Sequence, residues 1–318
     1  MAGALGAPAD LFSTANYIAY RTVKTPGKNR PLFSVVTASL NGNPVTCGNA
    51  QTVQADLSID DVATADVVIL PGLLADSEAA LVSRLASLES FTGFLRRMHD
   101  QGAILAAGCT GVFVLAESGL LDFQTATTTW WLSELFRRRY PNVDLDDARL
   151  VVESGKFLTA AAGTSYLDLS LALIRELAGP SISRQCAAYL CLDGPRESQN
   201  AYAIPHHRQV RDPFIEKADE WIRANASQDL DIPQLAQHMG VSPRTLGRRF
   251  LSIVGKSPSD YIQQVRIDKA KYLLQNSRQA VAQIAGLVGY RDEDAFRRAF
   301  KKQTSMSPAS FRRRLNNL

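Results

Sequence analysis

Over the first two thirds of the chain, short apolar runs alternate with stretches whose apolar positions recur at helical spacing; over the last third only the spaced positions remain. LFSVVTAS (32–39) and DVVILPG (66–72) predict strands, the second closed by a Pro-Gly turn. Ser77 to about Gln101 predicts helix. The run Ala103 to Ala107, wholly apolar between Gly102 and Gly108, predicts a buried strand, and Val112, Leu115, Ala116 and Leu120 predict a helix straight after Cys109. TTTWWLSELFRRRYP predicts a helix stopped by Pro141, and ARLVVESGKFLTAAAG a hairpin turning at Ser154-Gly155. Leu167, Leu171 and Ile174 mark a helix that ends at Gly179. Strands separated by helices imply an α/β doubly wound, mostly parallel sheet covered on both faces.

The pattern breaks at 193–213, where three prolines and scattered charge interrupt the apolar positions. This divides the chain into a sheet domain (1–192), a linker (193–213) and an all-α domain (214–318). The all-α part holds a repeat: IPQLAQHMGVSPRTLGRRF (232–250) aligns with VAQIAGLVGYRDEDAFRRAF (281–300). Leu235, Ala236 and Gly240 match Ile284, Ala285 and Gly289; one inserted residue later, Leu246, Arg248 and Phe250 match Phe296, Arg298 and Phe300. Ser257-Pro258 and Ser307-Pro308 continue the match, so one structural unit is used twice.

Each copy predicts a short helix, a glycine turn and a second helix. Ala236 and Ala285 are small where the two helices cross, and Ser242 and Asp292 are N-caps for the second helices. Those helices turn Leu246, Phe250, Phe296 and Phe300 inward and leave Arg244, Arg248, Arg249, Arg297 and Arg298 outside. This is a helix-turn-helix with a basic recognition helix, shaped for the DNA major groove. Residues 258–276 predict one connecting helix of roughly 28 Å, against about 34 Å between successive major-groove faces. The competing reading is a helical bundle with a solvated basic face.

Composition sharpens this division. At 318 residues the chain is long enough for two domains, and no apolar stretch is long enough to span a bilayer. The overall charge of +4 conceals 20 basic against 11 acidic residues in 206–318, net +9, and 15 against 20 elsewhere, net −5, so one end suits a polyanion. Four unevenly spaced cysteines and no secretory pattern point to reduced thiols and a cytoplasmic location, and no metal-ligand spacing or cofactor signature is found.

LAQHMGVSPRTLGRRF, YIQQVRIDKAKYLL, IAGLVGY and SPASFRRRL make residues 214–315 resemble the DNA-binding domain of AraC/XylS-family transcription regulators. The resemblance implies base-facing roles for Arg244, Thr245 and Arg248 in the first copy and Glu293, Asp294 and Arg298 in the second, with Ser242, Arg249, Arg291 and Arg297 also at the DNA surface. Ser305 departs from the family glycine that closes the second copy, where the first keeps Gly255. Asp292-Glu293-Asp294 departs from a phosphate-gripping surface, although an acid accepts a hydrogen bond from cytosine.

Cys109 stands at a strand-to-helix elbow, where α/β hydrolytic enzymes hold a nucleophile. DVVILPG, AAGCTGVFVLAESGLLD and ATTTWWLSELFRRRYP, in that order, resemble the class I glutamine amidotransferase-like superfamily in its PfpI-type form, implying a flavodoxin-like sheet. The resemblance implies a histidine where this chain has Thr129, and its histidines are His99, His206, His207 and His238. Cys109 is therefore read as a vestigial nucleophile in a non-enzyme; the rival reading is a cysteine amidohydrolase or peptidase bearing a DNA-binding domain. Gly72, Cys109, Thr110, Thr129, Trp130 and Gly163 are the candidate walls of a pocket for a small metabolite. Trp130 has two readings: an indole against an amine, amino acid or quaternary ammonium compound, or core packing. By resemblance the chain is a ligand-responsive activator, a homodimer joined through WWLSELFRRRY, with double-stranded DNA and RNA polymerase as partners and no membrane. Family members begin with an apolar strand where this sequence has MAGALGAPA, so either the start lies upstream or the sheet lacks a strand.

Overall fold

The computed structural model describes residues 2–22, 31–193, 196–202, 212–228 and 230–316. The chain divides into two compact units, Met1–Glu197 and Ser198–Leu318.

In the first unit the apolar runs become a four-stranded sheet. Helix α1 (Gly3–Thr22) precedes the two-residue strands β1 (Ala38–Ser39), β2 (Val45–Thr46), β3 (Thr52–Val53) and β4 (Leu57–Ser58). The main sheet is built from β5 (Val67–Leu70), β6 (Ile104–Gly108), β9 (Val151–Ser154) and β10 (Phe157–Ala160), in the order β5-β6-β10-β9. β5, β6 and β10 run parallel, and β9 returns antiparallel through the expected hairpin. A parallel pair, β7 (Thr125–Ala126) with β8 (Asp144–Leu145), stands apart. Side-chain alternation explains why β6 is buried throughout. Leu105 and Ala107 join a core with α2 (Glu78–Ala86), α3 (Glu89–Asp100), α4 (Gly111–Glu117) and α5 (Ser133–Arg139). Ile104 and Ala106 join another with α1, α6 (Ser165–Ala178) and α7 (Pro180–Tyr189). The sheet is thus covered on both faces, as the alternation of strands and helices implied.

Three expectations need correction. Of the strand expected over 32–39 only Ala38–Ser39 is paired; Phe33 is held instead by Asn16, whose amide accepts from its N–H and donates to its carbonyl, both at 2.8 Å. The helix expected from Ser77 to Gln101 is two helices, because Ser87 and Leu88 close α2 with bonds to Arg84 and Leu85 before α3 begins. In TTTWWLSELFRRRYP the three threonines are not helical: Thr127 and Thr128 bind Arg149 and Cys109 carbonyls, and a 3₁₀ turn (Trp130–Leu132) precedes α5. Local side-chain bonds of this kind compete with helix formation.

The helices described in the second unit are α8 (Pro213–Asn225), α9 (Ile232–His238), α10 (Pro243–Val254), α11 (Pro258–Asn276), α12 (Val281–Leu287), α13 (Glu293–Thr304) and α14 (Pro308–Asn316). It has two apolar cores, one per repeat. Ile215, Ile222, Leu235, Leu246 and Phe250 fill the first; Ile284, Phe296, Phe300 and Phe311 fill the second. α11 belongs to both, giving Ile262 and Val265 to the first and Ile267, Ala270 and Leu274 to the second. It also buries charge: Lys271 Nζ lies 3.5 Å from Asp268 Oδ1 and donates to the Asn200 carbonyl at 2.8 Å, while Gln264 donates to Asp268 at 3.3 Å. Described parts of the expected linker are accordingly anchored. Arg196 is held by Asp168 within the first unit, and Gln199 and Asn200 are buried within the second. Its residues 194–195 and 203–211, with His206 and His207, lie outside the described residues.

Candidate functional site

Both copies of the repeat close in the same way. Gly240 (φ 65°) and Gly289 (φ 88°) make the turns in the left-handed region that favours glycine. A β-carbon at Gly289 would also lie 2.4 Å from the Ala226 carbonyl. Ser242 Oγ accepts from the Thr245 N–H at 3.2 Å, and the Asp292 carboxylate accepts from the Asp294 and Ala295 N–H groups at 3.1 and 3.0 Å. Asp231 and Gln234 cap α9 reciprocally. At the far end Gly255 (φ 67°) and Ser305 (φ 58°) both stop their helices in a left-handed conformation, so the serine occupies a position where glycine carries no steric penalty.

The outer faces of α10 and α13, the second helices of the two copies, differ. Arg244 and Arg248, one turn apart on α10, are exposed and form no ion pair with another described residue. Thr245 is half-buried and shares its hydroxyl with Ser242 at 3.0 Å. Arg249 lies with its guanidinium 4.5 Å above the Phe214 ring, a cation–π contact to α8. On α13, Arg297 is hydrogen-bonded to Glu293, Arg298 lies 3.7 Å from Asp292, and Arg291 is exposed in the preceding turn. Asp294 is exposed, with no ion pair to a described residue. Sequence reasoning missed Arg266, which donates to the Ala226 and Gln228 carbonyls at 3.0 and 2.8 Å and fixes the segment after α8. It also missed Lys271; a lysine among the apolar positions of α11 was the available signal.

At the elbow Cys109 has φ 55°, and its N–H donates to the Ala160 and Ala161 carbonyls at 3.0 and 2.9 Å. Gly72 approaches so closely that a β-carbon there would meet Thr110 Oγ1 at 3.1 Å and Cys109 Cβ at 3.2 Å. Backbone bonds from Thr110 and Gly163 favour the thiolate, but burial outweighs them and pushes the thiol's pKa up. Gly72, Cys109, Thr110 and Gly163 are thus brought together. Thr128 Oγ1 donates to the Cys109 carbonyl at 2.8 Å, which sets Thr129 one residue from the elbow. The Thr129 hydroxyl is fully buried and has no hydrogen-bond partner among the described residues. Trp130 is buried edge-on to Trp131, with ring centroids 5.2 Å apart. His99 stacks on Phe157 (5.2 Å, 8°) at the start of β10, while Cys109 follows the end of β6. Three registers separate these ends, roughly 10 Å at the usual strand rise. His238 stacks on Trp221 in the second unit. In WWLSELFRRRY, Leu135, Phe136 and Tyr140 are core residues, and Trp131 is the exposed aromatic. Arg137, Arg138 and Arg139 pair with Asp147, Glu78 and Glu117.

Comparison with known proteins agrees with both halves. Residues 28–176 match the DJ-1/PfpI family, and residues 235–314 match a helix-turn-helix domain family. The chain joins a DJ-1/PfpI domain to an AraC-type helix-turn-helix domain. Its first domain is therefore flavodoxin-like α/β and its second the helical DNA-binding type. Two relatives match most of its length. The HTH-type transcriptional regulator GbdR of Pseudomonas aeruginosa is 26% identical over 88% of this chain and 74% of its own. The HTH-type transcriptional regulator GlxA of Rhizobium meliloti is 28% identical over 90% and 86%. A crystal structure from Vibrio parahaemolyticus, 18% identical with a TM-score of 0.51, shares the fold over 59% of this chain and 92% of its own. No helix among the described residues is long and apolar enough to cross a membrane.

Proposed function

We propose that this chain is a sequence-specific DNA-binding transcription regulator whose first unit senses a small molecule and does no catalysis. The observation that carries the reading is the duplicated, N-capped recognition helix, with Arg244 and Arg248 exposed on the first copy and unpaired among the described residues. A merely solvated basic face has no need of two matching turns, caps and packed phenylalanines. The relatives named as HTH-type transcriptional regulators support it, because they match along both domains. DNA contact is assigned to Ser242, Arg244, Thr245 and Arg248 of the first copy and Arg291, Glu293, Asp294 and Arg298 of the second. Arg249 and Arg297, engaged with Phe214 and Glu293, act first in packing and positioning.

The small-molecule pocket is assigned to the elbow. Thr129 supplies a hydroxyl that gains a partner when ligand or water binds, and Gly72, Thr110 and Gly163 line the approach. Trp130 serves packing in this reading. A cysteine hydrolase needs a base beside the thiol; the described histidines stand elsewhere and burial keeps the thiol protonated. Activation through RNA polymerase, dimerisation and a cytoplasmic location belong to the same proposal. The test is promoter activation and gel shift of the full chain carrying Cys109→Ala or Arg248→Ala. Clearly weaker DNA binding by the arginine variant, with the cysteine variant binding as the parent does, is the expected result. Turnover of an amide substrate that disappears with Cys109→Ala would reverse the assignment.

A further inference from the structure

The two copies correspond position by position from the N-caps of their recognition helices, and there their charge is opposite. Ser242 and Asp292 are the N-caps of α10 and α13, each with its side chain bonded to backbone N–H groups of the first turn. Arg244 and Asp294 are therefore both second residues of their helices, fifty positions apart in sequence. Both are exposed, and neither forms an ion pair with a described residue. One turn further on the copies agree, with Arg248 and Arg298 at matching exposed positions. Residues at the N-terminal end of a recognition helix meet base edges in the major groove. Guanine presents two acceptors there, which a guanidinium engages as a pair; cytosine presents an amino donor, which a carboxylate accepts. A carboxylate at that depth also repels backbone phosphates, so it favours duplexes that offer it a donor.

We infer that Arg244 and Asp294 are a divided specificity pair: the first copy selects guanine, and the second selects cytosine about one helical turn away. Arg248 and Arg298, shared by both copies, supply the attraction to the duplex. The inference rests on the DNA-binding reading above, and its test separates the two. Glu293 is engaged with Arg297, which leaves Asp294 as the acid of the second copy with no ion pair among the described residues.

The experiment is selection of the full chain on a pool of randomised 30-base-pair duplexes (about three helical turns) at one fixed salt concentration. Titration of the selected duplex and its single-base variants follows. The parent chain is expected to select guanine in one half-site and cytosine roughly 10 base pairs away. Each preference is expected to be worth about five- to a hundredfold in affinity. Asp294→Asn and Asp294→Ala should erase the cytosine preference and tighten binding to unselected duplex; Asp294→Arg should exchange cytosine for guanine; Arg244→Ala should erase the guanine preference alone. If the Asp294 variants keep the parent base preferences, or weaken binding to every duplex equally, the specificity pair is wrong while DNA binding stands. Failure of the parent chain to select any sequence overturns the DNA-binding reading and the pair with it.

Discussion

At Cys109 two effects oppose one another on a single sulfur. Backbone N–H groups of Thr110 and Gly163 favour the thiolate, and burial disfavours it more strongly, so the thiol's pKa is raised. Alkylation of Cys109, followed by peptide mass spectrometry to separate it from exposed Cys191, should be slower than that of a free thiol at neutral pH. It should accelerate only as pH rises past the ordinary thiol value. The sign for stability follows: in alkali the unfolded chain releases this proton before the folded chain does, so this group's contribution falls as pH increases. A Cys109→Ser chain should lose that part of the alkaline decline, read by urea unfolding at several pH values. Ser305 is a second residue whose backbone outranks its side chain. A left-handed conformation costs an ordinary residue about 1–2 kcal/mol, and Ser305 sits at φ 58° where its counterpart is Gly255. Ser305→Gly should raise the unfolding midpoint, with a gain of about 1 kcal/mol.

At the scale of elements, the repeat was the most legible feature of the sequence, because each part carries its own local signal. The caps Ser242 and Asp292, the turns Gly240 and Gly289 and the buried Leu246, Phe250, Phe296 and Phe300 are all found in those roles. The two turns are not equivalent, however. Open space surrounds a β-carbon added to Gly240, whereas one at Gly289 meets the Ala226 carbonyl and the Arg266 guanidinium. Gly289→Ala should therefore destabilise the fold clearly more than Gly240→Ala, which should cost about 1–2 kcal/mol, measured by thermal unfolding. That difference was illegible because it depends on a residue 63 positions earlier in the chain folding back onto the turn. The same reason explains the errors. Residues 32–37 have strand composition, but the Asn16 side chain and not a neighbouring strand holds Phe33, and strand-like backbone bonding begins only at Thr37, whose carbonyl accepts from the Asp56 and Leu57 N–H groups. The elbow was legible from its small residues, while the orphaned Thr129 hydroxyl was not, since partners across the fold decide it.

For the whole molecule, the charge division makes a measurable demand. With the basic excess in 206–318, affinity of the full chain for its duplex should fall linearly with the logarithm of salt concentration, as counterion release requires. Arg248→Ala should reduce that slope by about one at every sequence tested, the mark of a lost phosphate-directed charge. The buried pair Lys271 and Asp268, closed by the Asn200 carbonyl, ties the segment before α8 to the centre of α11. α11 itself carries a stricter demand, because its 19 residues lie in both apolar cores. Adding one residue to it would rotate everything downstream by about 100° and advance it by about 1.5 Å. Nature can thus change which letters the two readers prefer by exchanging surface side chains, yet the gap between the words is written into the length of one helix.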